Sequence, residues 1–110
     1  MVVYNKLVRD KIPNILQDVG KSFRIHVAGD KEFKESIIRK FEEELLEFRE
    51  SPSLEEAADI YEVFLTLVDA WGFKYSAVQK AADLKRGRSG AFQARIILEE
   101  TIEKHLTSEE

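Results

Sequence analysis

The chain has no cysteine among its 110 residues. A disulfide framework, a thiolate metal site and a cysteine nucleophile are therefore excluded. Histidine is nearly as scarce, and its two copies, His26 and His105, lie outside the acid-rich middle of the chain. A di-iron or di-manganese bundle shows Glu-x-x-His on its core face, a pattern missing here. Ser36, Ser53 and Ser76 lack a histidine partner that would make any of them a nucleophile. No apolar run approaches the roughly 18 residues of a membrane span. Met1-Val-Val-Tyr-Asn-Lys6 is too short and polar for a signal peptide, so a cytoplasmic protein is expected. Positive charge is not in excess either: 17 Lys and Arg face 21 Asp and Glu, for a net charge of −4. That balance argues against nucleic acid as a partner, because duplex binding is driven by phosphate neutralisation. With 44% hydrophobic and 35% charged residues, no repeat and no low-complexity linker, a single domain over 1–110 is expected.

What the sequence does contain is acid in unusual places. Glu44 and Glu47, and again Glu56 and Asp59, are spaced i, i+3, which puts each pair on one side of a helix about a turn apart. At about 100° per residue, Ile37, Phe41, Leu45 and Phe48 form an apolar stripe with Glu44 at its edge. On the following segment, Ile60, Val63, Phe64, Leu67, Val68 and Trp71 make the apolar face, with Glu56 projecting into it and Asp59 bordering it. An ionised carboxylate turned toward a core is costly unless a cation meets it. Two helices each offering such a pair point to a divalent ion with oxygen ligands, Mg²⁺ foremost and Mn²⁺ as its substitute. The structural alternative is pairing with Lys or Arg across the helix interface. Glu42, Glu43, Glu50 and Glu55 read, from periodicity alone, as a solvated face. Glu62 continues the i, i+3 line from Asp59 as a further ligand or base.

These segments belong to a mostly α chain. Arg9-Asp-Lys-Ile-Pro13 opens a helix, with Asp10 as its cap and Gly20 as its stop. Ser22 to Val27 alternates like a strand, and Phe92 to Leu98 is expected to pair with it, giving a small β element of about 22–27 with 93–98. A long helix from Gly29-Asp30 to about Glu50 is broken by Ser51-Pro-Ser53. The next, begun by a Ser53/Glu56 capping box, runs to Trp71. A short turn between two long helices makes an antiparallel hairpin. A third helix spans Ser76 to about Arg86, then a basic turn holds Gly87 and Gly90, and a polar frayed tail ends the chain. Trp71, Phe64 and Tyr61 are expected in the core. Hard-cation carboxylate sites suit phosphate chemistry, which also needs positive groups. Lys6, Arg9 and Lys11 form one candidate substrate-binding cluster, and Lys85 and Arg88, with Arg86, a second; the Gly-containing turn matches no Walker-type loop.

The paired Glu44-x-x-Glu47 and Glu56-x-x-Asp59 resemble the signature of the MazG-like all-α nucleoside triphosphate pyrophosphohydrolases. The opening Tyr4-Asn-Lys-Leu-Val-Arg-Asp-Lys-Ile-Pro13 and Glu56-Ala-Ala-Asp-Ile-Tyr-Glu-Val63 look like its small-protein, phosphoribosyl-ATP pyrophosphohydrolase-like branch. The resemblance covers nearly the whole chain. It implies Mg²⁺-dependent cleavage between the α and β phosphates, releasing a nucleoside monophosphate and pyrophosphate in a house-cleaning role. It implies further that Glu44, Glu47, Glu56 and Asp59 hold metal, that Glu43 acts with Glu44 in catalysis by orienting ligands or activating water, and that subunits associate as a homodimer or homotetramer. Phosphoribosyl-ATP of histidine biosynthesis is the alternative substrate, and a non-catalytic helical interaction module the alternative class. Two departures stand out. Only eight residues separate Glu47 from Glu56, and Arg88-Ser-Gly-Ala-Phe92 replaces an Arg-Gly-Gly-Phe-like turn.

Overall fold

The computed structural model describes residues 1–103. His105 and most of the expected polar tail lie outside the described residues. Among the described residues four helices follow one another: α1 (Ile12–Asp18), α2 (Asp30–Glu50), α3 (Leu54–Ala70) and α4 (Tyr75–Ser89). The chain divides into two compact units, Met1–Val78 and a second beginning at Gln79, with the boundary inside α4.

Local chemistry accounts for the helix ends. α2 carries Asp30 and Glu32 in its first turn and Arg49 in its last, each favourable with the helix dipole. It stops before Pro52, because a residue preceding proline is pushed out of the α region. Ser53 then starts α3, its Oγ accepting a 3.1 Å bond from the Glu56 N–H, as the capping-box spacing predicts. At the far end Gly72 takes φ +80°, and the Gly72 and Phe73 N–H groups donate back to the Asp69 and Val68 carbonyls. This Schellman closure satisfies carbonyls that would otherwise be orphaned.

Three sequence expectations are corrected. Asp10 does not cap α1: Lys11 occupies that position with no side-chain bond, although Pro13 does lie in the first turn. α4 runs through Gly87, since one helical glycine costs only about 1 kcal/mol, and it ends where Gly90 adopts φ +83° and donates to the Arg86 carbonyl at 2.8 Å. Among the described residues there is no strand, so the expected pairing of 22–27 with 93–98 is not present. Phe23, Ile25 and Val27 alternate correctly, yet all three are exposed, and a two-stranded pair without a buried face is marginal in water.

α2 and α3 pack against each other across the short turn. Ile37 is fully buried and Val68 nearly so. The apolar stripe of α2 is narrower than its sequence suggests: Leu45 sits roughly 80° around the helix from Ile37 and is half exposed. Phe48, in the last turn, Tyr61 and Trp71 are exposed as well, so the expected core positions of Tyr61 and Trp71 are not realised. No helix among the described residues is long and apolar enough to cross a membrane.

Candidate metal centre

Glu44 lies two turns beyond Ile37 on the buried side of α2, where the seam with α3 continues. It is the one charged residue among those described that is buried, at 5% exposure. From the first two turns of α3, Glu56 and Asp59 approach it. One carboxylate oxygen each from Glu44, Glu56 and Asp59 lie within 4.8 Å of one another. A second triad, Glu43, Glu44 and Glu47, meets the same limit within α2. The four expected ligands, together with Glu43, thus form two overlapping groups sharing Glu44. Glu47 is exposed and belongs to the group on α2 alone.

Cations already stand beside part of this acid. Lys40 Nζ is 3.2 Å from Glu44 Oε1 and 3.5 Å from Glu43 Oε1. Lys6 Nζ lies 3.2 Å from Glu43 Oε1, and Arg9 Nη2 lies 2.7 Å from Asp59 Oδ1. Lys40 went unrecognised as a site residue in the sequence, although its i, i+3 and i, i+4 spacing to Glu43 and Glu44 carries the signal. Two buried oxygens remain: Glu44 Oε2 and Glu56 Oε2 have no hydrogen-bond partner among the described residues. An unpartnered buried carboxylate oxygen costs about 1–3 kcal/mol or more, so this is an arrangement that a cation between α2 and α3 would relieve. Hard oxygen donors without sulfur or imidazole fit Mg²⁺ or Mn²⁺.

The electrostatics of adjacent residues diverge. Burial pushes the Glu44 carboxyl above its ordinary range, and Glu47 adds to that, with Lys40 only partly offsetting them. Burial acts in the same sense on Glu43, but Lys6 and Lys40 outweigh it and hold Glu43 below its ordinary value. Lys40 is raised: burial opposes its charge, yet Glu44 and Glu43 prevail.

A cleft of about 630 Å³ opens at this point, within the range of small-molecule sites. Its polar lining includes Lys6, Arg9, Lys40, Glu44, Asp59 and Glu62, and Phe33 and Val63 contribute apolar surface. Cationic and anionic groups therefore share one cavity. Of the first basic cluster, Lys6 and Arg9 line the cleft and Lys11 does not. Lys85 and Arg88 are exposed on the part of α4 that belongs to the second unit, where Arg86 pairs with Asp83 at 2.9 Å. His26 pairs with Glu32 on the surface at 2.9 Å. No known protein family, curated protein or solved structure matches the chain.

Proposed function

We propose that the chain is a Mg²⁺-dependent nucleotide pyrophosphohydrolase of the MazG-like kind, converting a nucleoside triphosphate to the monophosphate and pyrophosphate. The observation that carries this reading is the pair of orphaned, buried oxygens on Glu44 and Glu56, next to Asp59, beside a cleft that Glu44 and Asp59 line together with Lys6, Arg9 and Lys40. Glu44, Glu56 and Asp59 would hold the ion, with Glu47 as the outer carboxylate. Mg²⁺ bound there supplies charge neutralisation on phosphate oxygens.

The protein's own groups do the rest. Lys6, Arg9 and Lys40 offer ammonium and guanidinium donors to phosphate oxygens, with Arg9 suited to two-point contact. Glu43, kept ionised by Lys6 and Lys40, orients water by accepting its hydrogen bond. Glu62 lies on the cleft wall and would act as a second proton acceptor. Phe33 and Val63 provide apolar surface for a base or sugar.

The ion pairs of Lys40 and Arg9 favour the rival reading, a helical module whose acid is structural. They leave Glu44 Oε2 and Glu56 Oε2 unexplained, so the metal reading is preferred. The subunit is proposed to form a homodimer or homotetramer. Ile38 and Leu45 on α2, and Leu54 and Tyr61 on α3, are apolar i, i+7 pairs left exposed, a pattern that marks association faces.

Incubation with canonical, deoxy and modified nucleoside triphosphates, and with phosphoribosyl-ATP, tests the function through pyrophosphate release. Metal-dependent pyrophosphate plus a monophosphate is expected from at least one triphosphate. Turnover of phosphoribosyl-ATP alone would move the protein to the biosynthetic alternative, and silence throughout would support the non-catalytic module.

A further inference from the structure

Arg9 belongs to the irregular segment that precedes α1, yet its guanidinium reaches 50 residues along the chain to Asp59. The same segment sends Lys6 to Glu43. Two ion pairs thus fasten the N-terminal segment over the acidic centre, where it forms one wall of the cleft. The two cations at the centre's ligands differ in how firmly they are held. Lys40, on α2, has a side chain 19% exposed and touches both Glu43 and Glu44. Arg9 is 57% exposed and, among the described residues, pairs with Asp59 alone. An ion pair in that much water is weak and readily exchanged. Lys40 is therefore a fixed counter-ion and Arg9 a removable one.

We infer that Arg9 is an exchange residue coupling cation binding to phosphate binding at this centre, an inference that rests on the metal-site reading above. With no phosphate present, the guanidinium neutralises Asp59 and repels an incoming divalent cation, so the ion alone is held weakly. A polyphosphate entering the cleft offers Arg9 a better acceptor, because guanidinium and phosphate match in two-point geometry. Moving Arg9 from Asp59 to the phosphate frees a carboxylate oxygen for the ion. Each ligand then raises the affinity for the other, and linkage requires the two effects to be equal. The centre consequently fills at a lower cation concentration when polyphosphate is present than when it is absent. Arg9 thus touches Asp59 in one state and the phosphate in the other.

Calorimetric titration of the full chain with Mg²⁺, without and with inorganic triphosphate, tests the inference on wild type, Arg9→Met and Arg9→Lys. Arg9→Met should bind Mg²⁺ alone at least roughly fivefold more tightly than wild type, the low end of ordinary coupling between sites. It should bind triphosphate at saturating Mg²⁺ at least fivefold more weakly, and triphosphate should tighten Mg²⁺ less than it does in wild type. Arg9→Lys keeps the charge and should stay near wild type in Mg²⁺ affinity, which separates charge from packing. An unchanged or weaker Mg²⁺ affinity in Arg9→Met overturns the exchange role while leaving the metal centre standing. Unchanged triphosphate affinity overturns it equally. Failure of wild type to bind Mg²⁺ in either condition overturns both this inference and the metal centre beneath it.

Discussion

Glu43 and Glu44 are neighbours in sequence, and the fold shifts their carboxyls in opposite directions. Glu43, about one-third exposed and set between Lys6 and Lys40, has its carboxyl depressed. Its contribution to stability is present above the ordinary glutamate value of 4.5 and is lost as pH falls through its lower folded value. Glu44 is raised, so its contribution is present below 4.5 and is lost as pH rises through its higher folded value. At neutral pH without metal, Glu43→Gln should lower the melting temperature, by less than about 1 kcal/mol equivalent because solvent screens the pair. Glu44→Gln should raise it. The gap between the two variants should narrow as pH falls through the lowered Glu43 value, below which both carboxyls are neutral; melts at neutral and acid pH check this. An acid that destabilises the empty fold is the signature of a residue retained for binding. Legibility in the sequence was uneven at this scale. The inward position of Glu44 was readable from Ile37 and the helical period, but the exposure of Glu47 was not, because an i, i+3 spacing fixes angle and says nothing of how far the partner helix extends over the last turn.

At the scale of elements, the hairpin was legible because its signals are local. Pro52, Ser53 and Gly72 act through backbone chemistry within a few residues, and the helix ends follow them closely. Ser53→Ala should therefore cost about 1 kcal/mol, seen as a lower midpoint in urea with an unchanged slope. The β element was illegible for the converse reason. Alternation at Phe23, Ile25 and Val27 reports propensity, whereas a strand exists only by pairing with a distant segment, which no local pattern specifies. The docking of Lys6 and Arg9 onto the hairpin is likewise a long-range result, visible in the sequence only as a basic cluster near an expected phosphate site.

For the whole molecule, Ile37 and Val68 are a thin buried core beside many exposed apolar side chains on α2 and α3. Sedimentation velocity should show a homo-oligomer, and Leu45→Glu with Tyr61→Glu should shift it toward monomer; a wild-type monomer at micromolar concentration would remove the association proposal. The acidic seam between the helices nevertheless carries the central claim, since every proposed activity depends on a cation there. Thermal melts of wild type and Glu44→Gln, with and without Mg²⁺, address it most directly. A ligand that binds only the native state raises the melting temperature by mass action. Wild type should gain several degrees with millimolar Mg²⁺, in line with roughly 4–8 °C per kcal/mol for a small domain, and Glu44→Gln should gain none despite starting higher. Equal responses in the two proteins, or no response in wild type, would contradict a metal centre built on Glu44.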